Sequence, residues 1–308
     1  MNIIRYRNFF LAISASLVLA GILAIVIFCL NPGIDFLGGT LWQLRIPSIG
    51  SDLTPQSQEA LKYFFEQTLN VPSPAIYSDT STRSIIIRLG HISEAEHQSY
   101  LTSLRQKFGS VEEQRFDTIG PSVGKDLKTR AILGVIGVLV AISLYVTYAF
   151  RKASYPIKSW KYGVITLVTL FHDVAIPLGL FAVLGKIMGA EVDINFVVAA
   201  LVVMGFSVHD TIVVFDRVRE NLLLNRQSLD FEKLANVINR SINQTMARSI
   251  NTSLTLVMVL LTLLFFGPSS LRYFSLTILV GVTVGAYSSI FVASPMLLIT
   301  SRAKKKPR

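Results

Sequence analysis

Six long apolar segments constrain this sequence more than any other feature. A transmembrane α-helix needs about 20 consecutive apolar residues to cross a bilayer core of about 30 Å, and each segment is close to that length. Of the 308 residues, 51% are hydrophobic and only 16% are charged, which is too little charge to cover a soluble protein of this size. We therefore predict a membrane α-helical bundle of six transmembrane helices. The segments are 9–30, 131–150, 162–184, 194–215, 248–267 and 273–299.

The first apolar segment follows a basic flank, MNIIRYR, as the core of a signal peptide does. Its apolar part is about twice the usual length of a signal-peptide core, and no small-residue cleavage site precedes NPGIDF. We therefore expect residues 1–30 to form an uncleaved first transmembrane helix.

The distribution of charge predicts the orientation of the helices. The net charge is +10, and the basic excess falls on one side of the membrane if the chain starts in the cytoplasm. Because short cytoplasmic loops are enriched in Lys and Arg, we expect cytoplasmic termini and an extracytoplasmic segment between the first two helices. We expect no binding to nucleic acid, and we expect the basic tail 301–308 to contact anionic membrane lipid. The basic segments are 1–8, 151–161, 216–248 and 300–308.

Residues 31–127 have the pattern of a separate α+β domain. Strand-like GTLWQLRIP precedes a helical stretch, TPQSQEALKYFFEQTL, and strand-like PAIYSD and RSIIIRL precede a second helical stretch, SEAEHQSYLTSLRQKFG. A last strand, VEEQRFDTIG, completes the order β-α-β-β-α-β, which is typical of a ferredoxin-like domain. We expect GPSVGKDL to form a turn that leads into a five-helix bundle at 128–300. We expect the polar stretch 216–247 to form amphipathic helices along the inner membrane surface.

Three glycine-containing patterns have structural interpretations. GIDFLGGT, with Gly33, Asp35, Gly38 and Gly39, is expected to form tight turns that lead into the first strand. GPSVGKD is one residue too short for a phosphate-binding loop and has no Ser or Thr after its lysine, so we expect no nucleotide site. In the sixth apolar segment, small residues recur every fourth position and predict close helix packing, either within this chain or with a partner subunit. They are Gly281, Gly285 and Ser289.

Asp210 is the strongest candidate for a functional residue. It precedes Asp216 by six positions, so at 1.5 Å per residue it lies about 9 Å deeper in the membrane than that residue. Acidic residues inside membrane helices are energetically costly and mark proton or ion pathways. Its candidate partner is Arg248, at the start of the antiparallel fifth segment, although an arginine at that position can also extend its side chain to the membrane surface.

Asp173 is the deepest charged residue, in the middle of the third apolar segment. Pro177 follows it and removes a helix hydrogen bond, so the sequence leaves open a structural role for Asp173 and a role in relaying protons. His172 and His209 each precede an acid, and helix neighbours point about 100° apart, so neither pair is arranged to bind one metal. We expect no metal and no cofactor.

Several motifs resemble the SecD/SecF family of protein-export membrane proteins, within the resistance-nodulation-division superfamily. They are GIDFLGGT at 33–40, GPSVGKDL at 120–127, HDV at 172–174, GFSVHDTIVVFDRVREN at 205–221 and FSLTILVGVTVGAYSSIFVASPML at 274–297.

The resemblance implies a subunit of a complex with SecD in the bacterial inner membrane. Such a complex would act beside the SecYEG channel and use the proton gradient to draw exported unfolded polypeptide outward. It also implies that Asp210 is the intramembrane acid of the family and Arg248 its arginine. His209 stands where the family more often has Asn or Asp, and the loop between Asp210 and Arg248 is longer than usual.

Other functions are compatible with parts of the sequence. A half-transporter that exports lipid or small molecules fits the superfamily, but such exporters carry larger outer domains than residues 31–127 provide. A non-transporting assembly subunit of the translocase would use Asp210 only as a hydrogen-bonding group. An enzyme is the least supported class, because the sequence has no pair of nucleophile and base and no metal-binding spacing.

Overall fold

The computed structural model describes residues 2–49, 54–79, 83–151, 157–227 and 232–301. These residues form two compact units. The outer domain, named for its expected location, has the described residues of Asn31–Ile132 and Glu191–Ile194; the membrane unit has the described residues of Met1–Leu30, Leu133–Ala190 and Asn195–Arg308. The predicted basic tail lies outside the described residues from 302 onward.

The six predicted membrane-spanning helices are confirmed: six helices of the described chain are long and apolar enough to cross a membrane. The sixth is formed by two helices, α9 (Arg272–Ser288) and α10 (Ser294–Ser301), with a π-helical turn, Ser289–Ala293, between them. The spanning helices are α1 (Arg7–Phe28), α5 (Pro121–Ala149), α6 (Ser159–Met188), α7 (Ile194–Gln227), α8 (Leu234–Phe266), α9 (Arg272–Ser288) and α10 (Ser294–Ser301).

Glycines allow the membrane helices to approach closely, as is usual where the lipid tails are as apolar as the side chains. A Cβ atom added at Gly179 of α6 would lie 2.3 Å from the Cα of Gly21 in α1. On α9, a Cβ atom at Gly281 would lie 2.3 Å from Val203 of α7, and one at Gly285 would lie 3.1 Å from Ser207. The small-residue stripe of α9 therefore contacts another helix of this chain.

The outer domain contains a four-stranded antiparallel sheet. Its strands lie in the order β2 (Ala75–Asp79), β3 (Ser84–Leu89), β1 (Gly39–Arg45) and β4 (Glu112–Ile119). Buried aromatic and aliphatic residues from the sheet and from two helices form its core, with Trp42, Phe65 and Leu104 fully buried. A π-helical turn, Phe64–Thr68, continues α3. The elements are α2 (Ile34–Leu37), β1 (Gly39–Arg45), α3 (Pro55–Tyr63), β2 (Ala75–Asp79), β3 (Ser84–Leu89), α4 (Glu94–Phe108) and β4 (Glu112–Ile119).

Two segments differ from their expected structure. GPSVGKDL is not a turn, because α5 begins at Pro121 and runs through it; proline is favoured at the first helical position, where its missing N–H costs nothing. In the stretch 216–247, the described residues extend α7 to Gln227 and begin α8 at Leu234. This hairpin forms because polar side chains pair across it, as Asn221 Nδ2 does with Ser241 Oγ at 2.8 Å.

GIDFLGGT contains one helical turn, α2, followed by two glycines with positive φ, +75° at Gly38 and +121° at Gly39. A Cβ atom at Gly38 would lie 2.8 Å from the Cα of Pro121, and one at Gly39 would lie 2.8 Å from the carbonyl oxygen of Leu89. Backbone conformation and space therefore both require glycine at these two positions.

Candidate functional site

Asp210 is buried within the membrane unit, with 3% of its surface exposed. Its Oδ2 atom accepts a hydrogen bond of 2.9 Å from Ser289 Oγ. Ser289 opens the π-helical turn between α9 and α10, and Ser294 Oγ donates to the carbonyl oxygen of Ser289 at 3.1 Å. Such π-helical turns interrupt the regular helix bonds and occur often at functional sites.

Asp173 of α6 is fully buried and joins three helices. Its Oδ2 atom accepts hydrogen bonds from Ser207 Oγ of α7 and from Ser288 Oγ of α9, the latter at 2.8 Å. Its Oδ1 atom lies 2.8 Å from Nδ1 of His172. The side chain of Asp173 thus bonds to α7 and α9, while α6 continues through Pro177.

The two acids belong to one buried polar cluster. Ser288 and Ser289, which bind the two acids, are consecutive residues. Ser207 and Asp210 are three residues apart on α7, so they lie on the same face of that helix. We call this set the acid–serine cluster; it comprises Asp173, Ser207, Asp210, Ser288 and Ser289.

The serines of this cluster can accommodate a carboxyl group in either protonation state. Ser289 Oγ lies 2.9 Å from Asp210 Oδ2 and 3.1 Å from the carbonyl oxygen of Ala286. A hydroxyl group has one hydrogen and two acceptor lone pairs. With an ionised Asp210, Ser289 donates to the carboxylate; with a protonated Asp210, the carboxyl group donates to Ser289, which then donates to Ala286.

Ser288 repeats this arrangement at Asp173. Its hydroxyl oxygen lies 2.8 Å from Asp173 Oδ2 and 3.1 Å from the carbonyl oxygen of Gly285. In both places the serine hydroxyl group can donate to a carboxylate, or accept from a carboxyl group, by rotating about its own bond.

Arg248 is exposed on α8, and among the described residues no ion pair joins it to Asp210. The register of the α7–α8 hairpin fixes the position of Arg248 along the helix axis relative to Asp210, because Asn221 pairs with Ser241 and Arg217 pairs with Gln244. In that register Arg248 lies about one helical turn closer to the hairpin end than Asp210. The structure thus brings Asp210 to serine and not to the expected arginine.

The two histidines have different environments. His172 is buried against Asp173, whereas His209 is exposed beside the buried Asp210. His209 and Asp210 therefore face different sides of α7, as neighbours on a helix do.

The serines of the cluster are the functional candidates that the sequence did not reveal. Ser289 was expected only to allow close packing, and Ser207 and Ser288 were not singled out. Each is a small polar residue in an otherwise apolar segment, and this was the available signal. It is weak, because serines in membrane helices also bond to their own backbone.

The last predicted group, GIDFLGGT, belongs to the other unit. Asp35 accepts a hydrogen bond of 2.8 Å from the backbone N–H of Ile194, the first residue of α7. A Cβ atom at Gly33 would lie 3.3 Å from Glu191 Oε2. These residues thus contact the segment between α6 and α7, beyond forming the expected turn.

Known proteins are similar to this chain over nearly its whole length. The family profile described as "Protein export membrane protein SecD/SecF, C-terminal" matches residues 99–303. The protein translocase subunit SecF of Thermobaculum terrenum is 40% identical, over 97% of this chain and 93% of that protein. The protein translocase subunit SecDF of Bacillus subtilis is 33% identical, over 95% of this chain and 37% of that longer protein.

A solved structure is also similar. The crystal structure of SecDF from Thermus thermophilus, described as a translocon-associated membrane protein, aligns with 97% of this chain at a TM-score of 0.81 and 32% identity. This chain spans 38% of that SecDF chain. Identity above 30% over almost the full sequence, together with the matching profile and fold, places the chain in a family: it belongs to the SecD/SecF family of protein-export membrane proteins.

Proposed function

We propose that this chain is the SecF-type subunit of a SecDF complex, which uses the proton gradient to assist protein translocation through the SecYEG channel. The observation that carries the proposal is the buried Asp210 carboxyl group, held by Ser289 at a π-helical turn and grouped with a second buried acid, Asp173. Ionisable groups inside a membrane bundle are typical of proton pathways. On this proposal the chain has no enzymatic activity and needs no cofactor.

The orientation follows from the charge distribution. The Lys- and Arg-rich segments flank the spanning helices on one side, which we assign to the cytoplasm together with both termini. The domain of residues 31–127 is then extracytoplasmic. Its β-α-β-β-α-β element order and antiparallel sheet support a ferredoxin-like domain inserted between the first two spans. On this proposal, an emerging polypeptide passes this domain.

The exposed polar residues of α8 support a SecD partner. Arg248 and Asn251 are exposed although they lie on a helix that is apolar enough to span the membrane. A charged side chain that faces lipid is costly, so such residues usually face other protein or a water-filled cavity. In the SecDF relatives about 60% of the chain lies outside the part that matches here, and this remainder is long enough to correspond to such a partner.

In the proposed cycle, protonation of Asp210 changes its interaction with Arg248. The ionised carboxylate accepts from Ser289 and attracts the guanidinium group of Arg248 from about one helical turn away, and protonation removes that attraction while the bond to Ser289 remains. The difference in bonding shifts α7 against α8 and α9. Asp173, bonded to both α7 and α9, relays the proton or the movement.

The substitution Asp210→Asn tests the proposal in a reconstituted complex with SecD and the channel. Asparagine keeps the shape and the bond to Ser289 but carries no exchangeable charge, so we expect gradient-dependent export to fall to the level measured with the gradient collapsed. The control is Asp216→Asn on the same helix, which removes only an exposed ion pair with Arg219 and changes little. Undiminished export by Asp210→Asn would overturn the proposal. Efflux of lipid or dye without protein release would instead indicate a half-transporter.

A further inference from the structure

The short segment that joins α6 to α7 is part of the outer domain. Residues Glu191–Ile194 group with Asn31–Ile132, whereas the helices on either side of the segment group with the membrane unit. The segment directly precedes α7, the helix that carries Asp210. Three kinds of contact hold it.

The first contact is between backbones. The N–H of Val192 donates to the carbonyl oxygen of Asn31 at 2.8 Å, and the N–H of Gly33 donates to the carbonyl oxygen of Val192 at 2.9 Å. Pro32 and Val192 thereby form a parallel β-bridge. Buried backbone groups lose free energy if left unpaired, so these two bonds fix the position of the segment.

The second contact is at the start of α7. The backbone N–H groups of a helix's first turn have no partner within the helix, and the N–H of Ile194 donates to Asp35 Oδ2 at 2.8 Å. A carboxylate is favoured at this position because the N-terminal end of a helix carries partial positive charge. The cap comes from α2, in the outer domain and 159 positions away in the sequence.

The third contact is a half-buried ion pair. Arg88 Nη2, at the end of β3, lies 3.0 Å from Glu191 Oε2, and the two side chains are 16% and 19% exposed. The same Nη2 atom donates to the carbonyl oxygen of Pro32 at 3.2 Å. Arg88 thus holds both sides of the β-bridge together.

The charges around Glu191 make this ion pair sensitive to pH. Burial raises the pKa of Glu191; the adjacent Arg88 opposes that shift, Asp193 and Asp35 add to it, and Arg115 opposes it. Glu191 therefore takes up a proton at a higher pH than an ordinary glutamate does. Protonation removes its charge attraction to Arg88 and also removes the larger cost of burying its charge. On the proposed orientation, this side of the membrane is the one where protons accumulate.

We propose that these contacts form a latch that holds Ile194, the first residue of α7, within the outer domain and couples movement of that domain to Asp210. The latch comprises Asn31–Asp35, Arg88 and Glu191–Ile194. Because α7 is continuous from Ile194 through Asp210, a displacement at the latch acts on the acid through 16 residues of helix, about 24 Å. Asp35 is a positioning residue in this account. The inference rests on the proposed function and assigns a mechanical link to it.

The test separates proton movement from protein export. Proteoliposomes that contain the full complex are assayed for proton uptake and for gradient-dependent release of an exported polypeptide. For Asp35→Ala we expect proton uptake to persist while export falls about fivefold or more, the lower end of typical coupling between sites. The control is Glu112→Gln, which removes an exposed ion pair with Arg45 on the same domain and should leave both readouts unchanged.

A disulfide provides a rescue. Residues paired across a β-bridge lie within the Cα separation that a disulfide requires, so Pro32→Cys with Val192→Cys closes the latch covalently in a chain that also carries Cys29→Ser. We expect oxidation to restore export in the Asp35→Ala background, and reduction to abolish the gain.

The outcomes are distinct. Native export by Asp35→Ala, or a parallel loss of proton uptake and export that oxidation does not restore, overturns the latch. A failure of the proposed function appears instead as native export by Asp210→Asn in the same assay. Loss with Asp210→Asn and native behaviour with Asp35→Ala would retain the function and reject the latch.

Discussion

The two units of this protein differ in the side chains that they expose and in the polar side chains that they bury. The outer domain packs aromatic and branched aliphatic residues between its sheet and helices, as a soluble protein does. The edge-to-face ring contact between Trp42 and Phe65, at 6.5 Å between centroids, is characteristic of that core. Its buried His97 is paired with Glu113 at 2.6 Å, and Glu113 also binds Trp42 Nε1 at 2.8 Å.

The membrane unit also contains buried apolar clusters, but its surface and its buried polar groups differ from those of the outer domain. Its helices expose large apolar residues, such as Leu133, Phe171 and Phe265, and bury hydroxyl groups, glycines and carboxyl groups. The buried polar residues of α6, α7 and α9 include Thr166, Thr169, Asp173, Ser207, Asp210, Thr211, Ser275, Thr277 and Ser288.

The difference follows from the two solvents. Water drives apolar residues into the core of the outer domain, whereas lipid gives apolar residues no reason to leave the surface, so membrane helices associate through close packing and hydrogen bonds. A polar interior is also what proton transfer needs. The membrane unit therefore combines its packing and its proposed chemistry in the same residues, whereas the outer domain can be stabilised independently of function. Substitutions in either unit can test this difference.

The largest expected effect is on the outer core. Phe65→Ala removes a fully buried ring and should cost about 3–5 kcal/mol of local stability. Hydrogen exchange on the full chain should show lost protection in β1 and β3 and unchanged protection in α6. Tyr63→Ala, an exposed residue of the preceding turn, is the control. Equal loss in both units would contradict their independence.

Enlarging a glycine of a membrane helix should destabilise the membrane unit and leave the outer domain unchanged. Gly179→Ala places a Cβ atom against the backbone of α1, so we expect the α1–α6 contact to lose about 1–3 kcal/mol, seen as faster exchange in α1 and α6 and not in β1 or β3. Gly134→Ala is the matched control, because a Cβ atom there meets nothing within 4 Å. If both substitutions stabilise the helices, close glycine packing does not hold this unit together.

A smaller effect is expected at the start of α4. Ser93 and Glu96 form a reciprocal capping box, and Ser93→Ala should cost about 1 kcal/mol in the outer domain. Ser99→Ala, on the exposed face of the same helix, should be neutral or slightly stabilising, since alanine favours helices. Thermal unfolding followed by exchange in α4 measures both, and equal stability of the two variants would argue against the cap.

The smallest effect is a pH dependence at Glu191. Because its pKa is raised above the ordinary 4.5, the folded chain binds more protons than the unfolded chain between these two values. Its contribution to stability is therefore greatest at low pH and is lost as pH rises through the folded pKa. Relative to Glu191→Gln, the native chain should gain protection in the segment 191–194 as the pH falls from neutral toward the ordinary glutamate pKa of 4.5. A loss over that range would contradict the burial of Glu191.

The parts of the fold that depend on local periodicity were predictable. Six apolar segments gave six helices, and the alternation of strand-like and helical segments between residues 31 and 127 gave the observed element order. The exceptions were local. Pro121 starts a helix where a turn was expected, and paired polar residues such as Asn221 and Ser241 extend α7 and α8 into an expected loop.

The site was only partly predictable, because its partners come from distant positions. A costly acid in an apolar segment singled out Asp210, but nothing local indicates that Ser289, 79 positions away, would meet it. Arg248 was selected by its charge, by its place at the start of the antiparallel fifth segment and by the family resemblance, and the helix register places it about one turn away. The Asp35–Ile194 bond is likewise invisible in the sequence, since any backbone N–H looks alike.

The central claim, that Asp210 gains and loses a proton during the working cycle, is tested most directly by infrared difference spectroscopy. The complex is reconstituted in lipid and a proton gradient is applied and removed. We predict a protonated-carboxyl band that appears and disappears with the gradient, shifts with ¹³C-labelled aspartate and is absent from Asp210→Asn. A band that stays constant under the gradient, or one that persists in Asp210→Asn, would contradict the account.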